Sequence, residues 1–209
     1  MDIETLNKEL NDIFSTEEFE EDGGVYITGT DWYSDDLRVE FVIKPGDNSD
    51  NQLWEVQIVG VREELIKSTF GDKLELLDEH PLLWAFSQVQ TDLYFTNPTT
   101  RPFELFSAIY EIHRRESKNW LPLDKFINKE ISPIELCKSK SGLFAKGPLK
   151  LLEKYQEVLE QHGMTPSLFG KRNPKRWTND QWVEETEILR VMILGDSYVI
   201  GESFDFKRV

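Results

Sequence analysis

The stretch LRVEFVIK, residues 37–44, decides the fold class. Leu37, Val39, Phe41 and Ile43 alternate with Arg38, Glu40 and Lys44, the period-two pattern of a strand that is wet on one side. Upstream, Val25 and Ile27 begin another strand after the break at Gly23 and Gly24. Downstream, PGDNSDN (45–51) is dense in turn formers and reads as a loop. Trp54, Val56 and Ile58 then alternate with Glu55 and Gln57, and the pattern is extended through Val61 to Ile66 with Gly60 as a bulge. Leu74 and Leu76 give a further short strand, and Val89 to Phe95 another. Short connections make the series an antiparallel meander. Near the C-terminus, Ile188–Leu194 and Tyr198–Phe206 flank Gly195 and Asp196, a two-residue hairpin turn. The first of these runs is apolar on both faces except at Arg190, which predicts a central strand.

Helical spacing appears on either side of the meander. Ile3, Leu6, Leu10, Ile13 and Phe14 predict an amphipathic helix, and STEE (15–18) fits a capping box for a second short turn through Phe19. Acidic residues before Pro81 and the run Leu82 to Phe86 predict another helix start. Pro102 opens a helix to about Glu116, with Phe103, Phe106, Tyr110 and His113 as its stripe. A further helix follows Gly147 and Pro148, with Leu151, Leu152, Tyr155, Leu159 and His162 on one face and Gly163 as its stop. Residues 164–181 read as a basic, Pro- and Gly-bearing loop. The expected fold is α+β, a single domain over residues 1–209. Its core is a mostly antiparallel β-sheet (meander plus C-terminal hairpin) with helices packed on one face.

Hydrophobic residues make up 39% of the 209, and the six Trp and thirteen Phe are what a packed core requires. That composition excludes a disordered chain. No apolar run approaches the ~20 residues of a membrane span. The opening MDIETLNKEL has none of the features of a secretory signal, and the lone Cys137 allows no intrachain disulfide, so the expected compartment is the cytoplasm. The net charge of −15 is uneven. Residues 1–136 hold 29 acids against 12 bases, −17; residues 137–176 hold 3 against 9, +6; the remainder holds 7 against 3, −4. Such charge disfavours nucleic acid and anionic membrane as partners.

Catalytic signatures are absent from the sequence: there is no GxSxG, P-loop, GxGxxG, HxxxH or CxxC. No metal or cofactor is expected, and the chain reads as non-enzymatic. His113 falls on a helical stripe, His162 in a last helical turn and His80 before Pro81. Two constellations remain. Asp31, Trp32, Tyr33, Asp35 and Asp36 lie between two strands. They are read either as a turn or as a partner-binding loop, where aromatics supply rigid contact area and carboxylates speed the encounter with a basic protein. Lys138, Lys140, Lys146 and Lys150 approach a helix start and form a candidate anion-binding segment; an enzyme or small-anion-binding protein with a cleft near 138–150, drawing on His80 or His113, is the alternative function. The leading expectation is a binding or inhibitory protein for a basic protein partner. Immunity proteins carry comparable charge at comparable size, an analogy of charge and size alone.

Overall fold

The computed structural model describes residues 3–46, 50–178 and 180–209, and in it the alternating stretch forms the second strand of a five-stranded antiparallel sheet. The chain enters through α1 (Ile3–Phe14) and α2 (Glu17–Asp22). It continues through β1 (Gly24–Tyr33), β2 (Asp36–Lys44), β3 (Gln52–Val59), β4 (Glu63–Leu65), β5 (Phe70–Gly71) and β6 (Leu74–Leu77). A 3-10 turn, Pro81–Leu83, leads into α3 (Trp84–Ser87), β7 (Gln90–Thr96) and α4 (Pro102–Ser117). Then follow α5 (Pro133–Lys138), β8 (Ser141–Pro148), α6 (Leu149–Gln161), β9 (Thr165–Arg172), β10 (Lys175–Thr178) and β11 (Gln181–Glu184). The last strands are β12 (Arg190–Leu194), β13 (Ser197–Gly201) and β14 (Ser203–Arg208). The fold is α+β with antiparallel sheets. It forms two compact units, residues 1–80 with 187–209, and residues 81–186. Both lie within the span read from the sequence as one domain.

In the first unit the strands divide between two sheets, ordered β14-β3-β2-β1-β5 and β4-β13-β12-β6. The alternation in β2 is realised residue by residue, with Leu37, Val39, Phe41 and Ile43 all buried. They join Trp54, Val56 and Ile58 of β3, Leu74 and Leu76 of β6, Met192, Leu194 and Val199, and Leu6 and Leu10 of α1 in one core. Phe41 stacks on Trp54 with ring centroids 6.3 Å apart and meets Phe206 edge-on at 6.3 Å. Burying each such side chain supplies roughly 1.5–3 kcal/mol. The side chain of Ile3 and residues 47–49, part of the helix and loop expectations, lie outside what is described.

Gly60 carries out a different task from the expected bulge. Its φ of +62° turns the chain out of β3, so that the extension toward Ile66 becomes β4 in the other sheet. Gly71 and Gly195 mark where the sheets' backbones meet. A Cβ on Gly71 would stand 2.8 Å from the Gly195 nitrogen, closer than packed atoms allow. Strand β12 lies between β13 and β6, and Val191, Met192, Ile193 and Leu194 are all buried, as its two-faced apolarity predicts. The cap of α2 is Thr16, whose hydroxyl accepts from the Phe19 nitrogen at 3.2 Å.

The second unit holds a three-stranded sheet, β8-β7-β9, with α6 packed on all three strands, and a separate hairpin of β10 and β11. Three expectations change here. The lysine-bearing approach to α6 is strand β8, paired with β7 from Thr96 opposite Ser141 to Gln90 opposite Pro148. The expected loop 164–181 is instead β9 and most of the β10–β11 hairpin. The face of α4 is rotated: Leu105, Ile109, His113 and Ser117, each four residues apart, are buried, whereas Phe103 and Tyr110 are exposed. The aromatic spacing was helical, but the buried row is the one through Leu105, Ile109, His113 and Ser117, and α4 packs against α5 and α6.

Candidate functional site

All five residues of the acid–aromatic constellation sit at the tip of the β1–β2 hairpin. Tyr33 pairs with Asp36, so Ser34 and Asp35 make the turn, with Ser34 at φ +59°. The turn is pinned from below: an Asp36 carboxylate oxygen accepts from the Gly60 nitrogen at 2.9 Å, and the Asp35 carbonyl accepts from the Val61 nitrogen at 2.8 Å. Asp31 accepts from Arg38 at 2.7 Å. Trp32 and Tyr33 are left 51% and 56% exposed, with Asp35 exposed between them and Asp36.

This tip continues into the outward face of the five-stranded sheet. Arg38 lies 2.7 Å from Asp31, 3.1 Å from Glu40 and 3.8 Å from Glu55. The Asp31 hydrogen bond, followed by the nearby Tyr33, holds its guanidinium above the ordinary arginine range. Glu40 stands directly opposite Glu55 in the β2–β3 ladder, and the Arg38 guanidinium between them offsets the like-charge pairing. Beyond this acidic row, Tyr26 and Phe70 touch with centroids 5.1 Å apart, and Leu53 is also exposed. The unit carrying this face holds 26 acids against 9 bases, −17, whereas the second unit holds 13 against 15, +2.

The four lysines have different surroundings. Lys138 ends α5, paired with Glu135 at 2.9 Å and 6.0 Å from the Phe103 ring. Lys140 is exposed between α5 and β8, and Lys150 is exposed in the first turn of α6. Lys146 alone of the four lines a cavity of about 230 Å³, together with Lys125, Arg172, Trp84 and Phe126. The sequence pattern gave little sign of this grouping. Lys125, Lys146 and Arg172 come from three separate segments, and only the basic character of 171–176 hinted at one of them.

The histidines are occupied. His113 is buried, with Nε2 2.6 Å from the Leu121 carbonyl and Nδ1 2.7 Å from the Tyr155 hydroxyl. A carbonyl only accepts, so Nε2 bears the proton and the Tyr155 hydroxyl donates to Nδ1. No lone pair remains for proton transfer. His162 donates from Nδ1 to the Val158 carbonyl at 2.9 Å, closing the end of α6, and His80 is buried. Cys137 is buried in α5, where burial pushes its thiol up to about 11. Such a thiol stays protonated and unreactive near neutral pH. Among the described residues, no three His, Cys, Asp or Glu side chains group to hold a metal ion, and no helix is long and apolar enough to cross a membrane.

No protein-family model, curated protein or solved structure matches this chain.

Proposed function

We propose that the chain is a non-enzymatic binding protein whose acidic unit engages a basic protein partner, as an inhibitor of that partner would. The observation that carries this reading is the division of charge: −17 in one compact unit and +2 in the other. Solubility alone asks for a net charge, not for its confinement to one unit. Trp32 and Tyr33 supply rigid contact area beside the carboxylates, the combination found at interface hot spots.

The partner's chemistry follows from the hairpin tip: a surface rich in Arg and Lys with apolar ground to receive Tyr33 from the acidic face and Trp32 from the other side of the tip. Long-range attraction would speed encounter, and the rings would set the lifetime of the complex. The test is affinity capture from a native lysate with the intact chain as bait, at low and at high salt. One stoichiometric protein of basic isoelectric point is expected. It should be lost on raising NaCl from 0.05 to about 0.5 M as the Debye length shortens. Its dissociation should be at least tenfold faster from a W32A/Y33A bait. Capture that ignores both salt and the double substitution would overturn the proposal.

A further inference from the structure

We infer that the cavity of the second unit is a binding site for a small aromatic phosphate monoester. The cavity, about 230 Å³, lies at one end of the three-stranded sheet, where β7 begins and β8 and β9 finish. Its volume is below the ~300–1,000 Å³ of pockets for drug-sized ligands, which suits a body of about one ring. Leu82, Leu121 and Pro148 make an apolar lining, and the half-buried Trp84 and the buried Phe126 add aromatic surface to it. A Cβ at Gly147 would stand 2.6 Å from the Phe126 ring, so only glycine lets that ring lie against the strand. Gln90, also in the lining, donates to the carbonyls of Trp84 at 3.0 Å and Gln88 at 2.9 Å.

Charge selects the other half of the ligand. Lys125, Lys146 and Arg172 all line the cavity, and no lining residue is acidic. Arg172 is held by Asp92 at 2.7 Å, and Asp92 itself faces Lys146 across the β7–β8 ladder. The Asp92 carboxylate offsets one positive charge and positions the guanidinium. Lys125 and Lys146 form no ion pair among the described residues. Two uncompensated positive charges beside an apolar, aromatic lining match a phosphate monoester, which carries about −1.5 to −2 near neutral pH. A carboxylate leaves one lysine unmatched, and inorganic phosphate leaves the apolar lining unused.

The experiment is isothermal titration of the full chain with phenyl phosphate, inorganic phosphate, benzoate and phenol. Phenyl phosphate should bind saturably at one site per chain, at least tenfold tighter than each of the other three. The K125A/K146A double variant should weaken it at least tenfold with the melting temperature unchanged, since both lysines are exposed. Trp84→Ala should erase the preference for phenyl phosphate over inorganic phosphate. Absence of saturable binding, binding that survives removal of both lysines, or equal affinity for benzoate or inorganic phosphate would each overturn the assignment.

Discussion

His113 shows how one buried polar residue constrains its surroundings. Both ring nitrogens are satisfied, by the Leu121 carbonyl and the Tyr155 hydroxyl, and the ring lies 5.5 Å from Phe126, a wall of the cavity. Burial depresses the basicity of the imidazole, and the Leu121 carbonyl bond offsets part of that effect. The unfolded chain therefore takes up this proton first as pH falls. The stabilisation from His113 is complete above about pH 6.5, the unfolded value, and declines below it, by no more than about 1.4 kcal/mol per pH unit. Urea denaturation at pH 7.5 and 5.5 checks this. His113→Gln, whose amide can still donate and accept but does not titrate, should show a smaller loss on acidification than the native chain. Tyr155→Phe should cost about 1–3 kcal/mol at pH 7.5 by leaving Nδ1 without a donor. Equal acid losses in the native and His113→Gln chains would remove His113 as the source.

At the level of elements, period-two alternation was readable wherever one face of a strand is buried and the other wet, as in β2 and β3. It failed where neither condition holds. Strand β8 contains two glycines and a proline in SGLFAKGP, and a bulge between Leu93 and Tyr94 shifts its pairing, so no alternation survives. The β10–β11 hairpin alternates, but its large residues face solvent: Trp177 and Trp182 sit directly opposite each other, 58% and 64% exposed, with ring centroids 5.4 Å apart. Exposed tryptophans among polar and charged residues look like loop sequence because burial, the usual reason for apolar spacing, is absent. An edge-on aromatic pair adds about 0.5–1.5 kcal/mol to its hairpin, yet little of the core depends on it. Trp182→Ala should therefore abolish the exciton-coupled tryptophan band in the circular dichroism spectrum while changing the global unfolding free energy by less than about 0.5 kcal/mol. A large loss of global stability would show that the pair is packed against something more than its partner strand.

For the whole molecule, the charge imbalance was legible in the sequence, because counting needs no fold. Its division was not, since residues 81–136 and 187–209 change sides once the units are known. The cavity was hidden for a related reason: its cations converge only when the 3-10 turn Leu123–Lys125, strand β8 and strand β9 come together. The division has a consequence independent of any partner. A unit at −17 repels itself, and salt shortens the range of that repulsion from about 30 Å at 0.01 M to about 3 Å at 1 M. The second unit, at +2, has little self-repulsion to relieve. Amide hydrogen exchange reads each unit separately within the intact chain. Between 0.01 and 0.5 M NaCl, protection of the core amides of β2 and β3 should rise, while that of β7 should change little. A change of salt from chloride to sulfate separates screening from general strengthening of apolar burial, which would raise both units together. If β2, β3 and β7 gain protection equally in chloride, the acidic groups of the first unit are not under mutual strain, and the argument that they are held there for a cationic surface loses its footing.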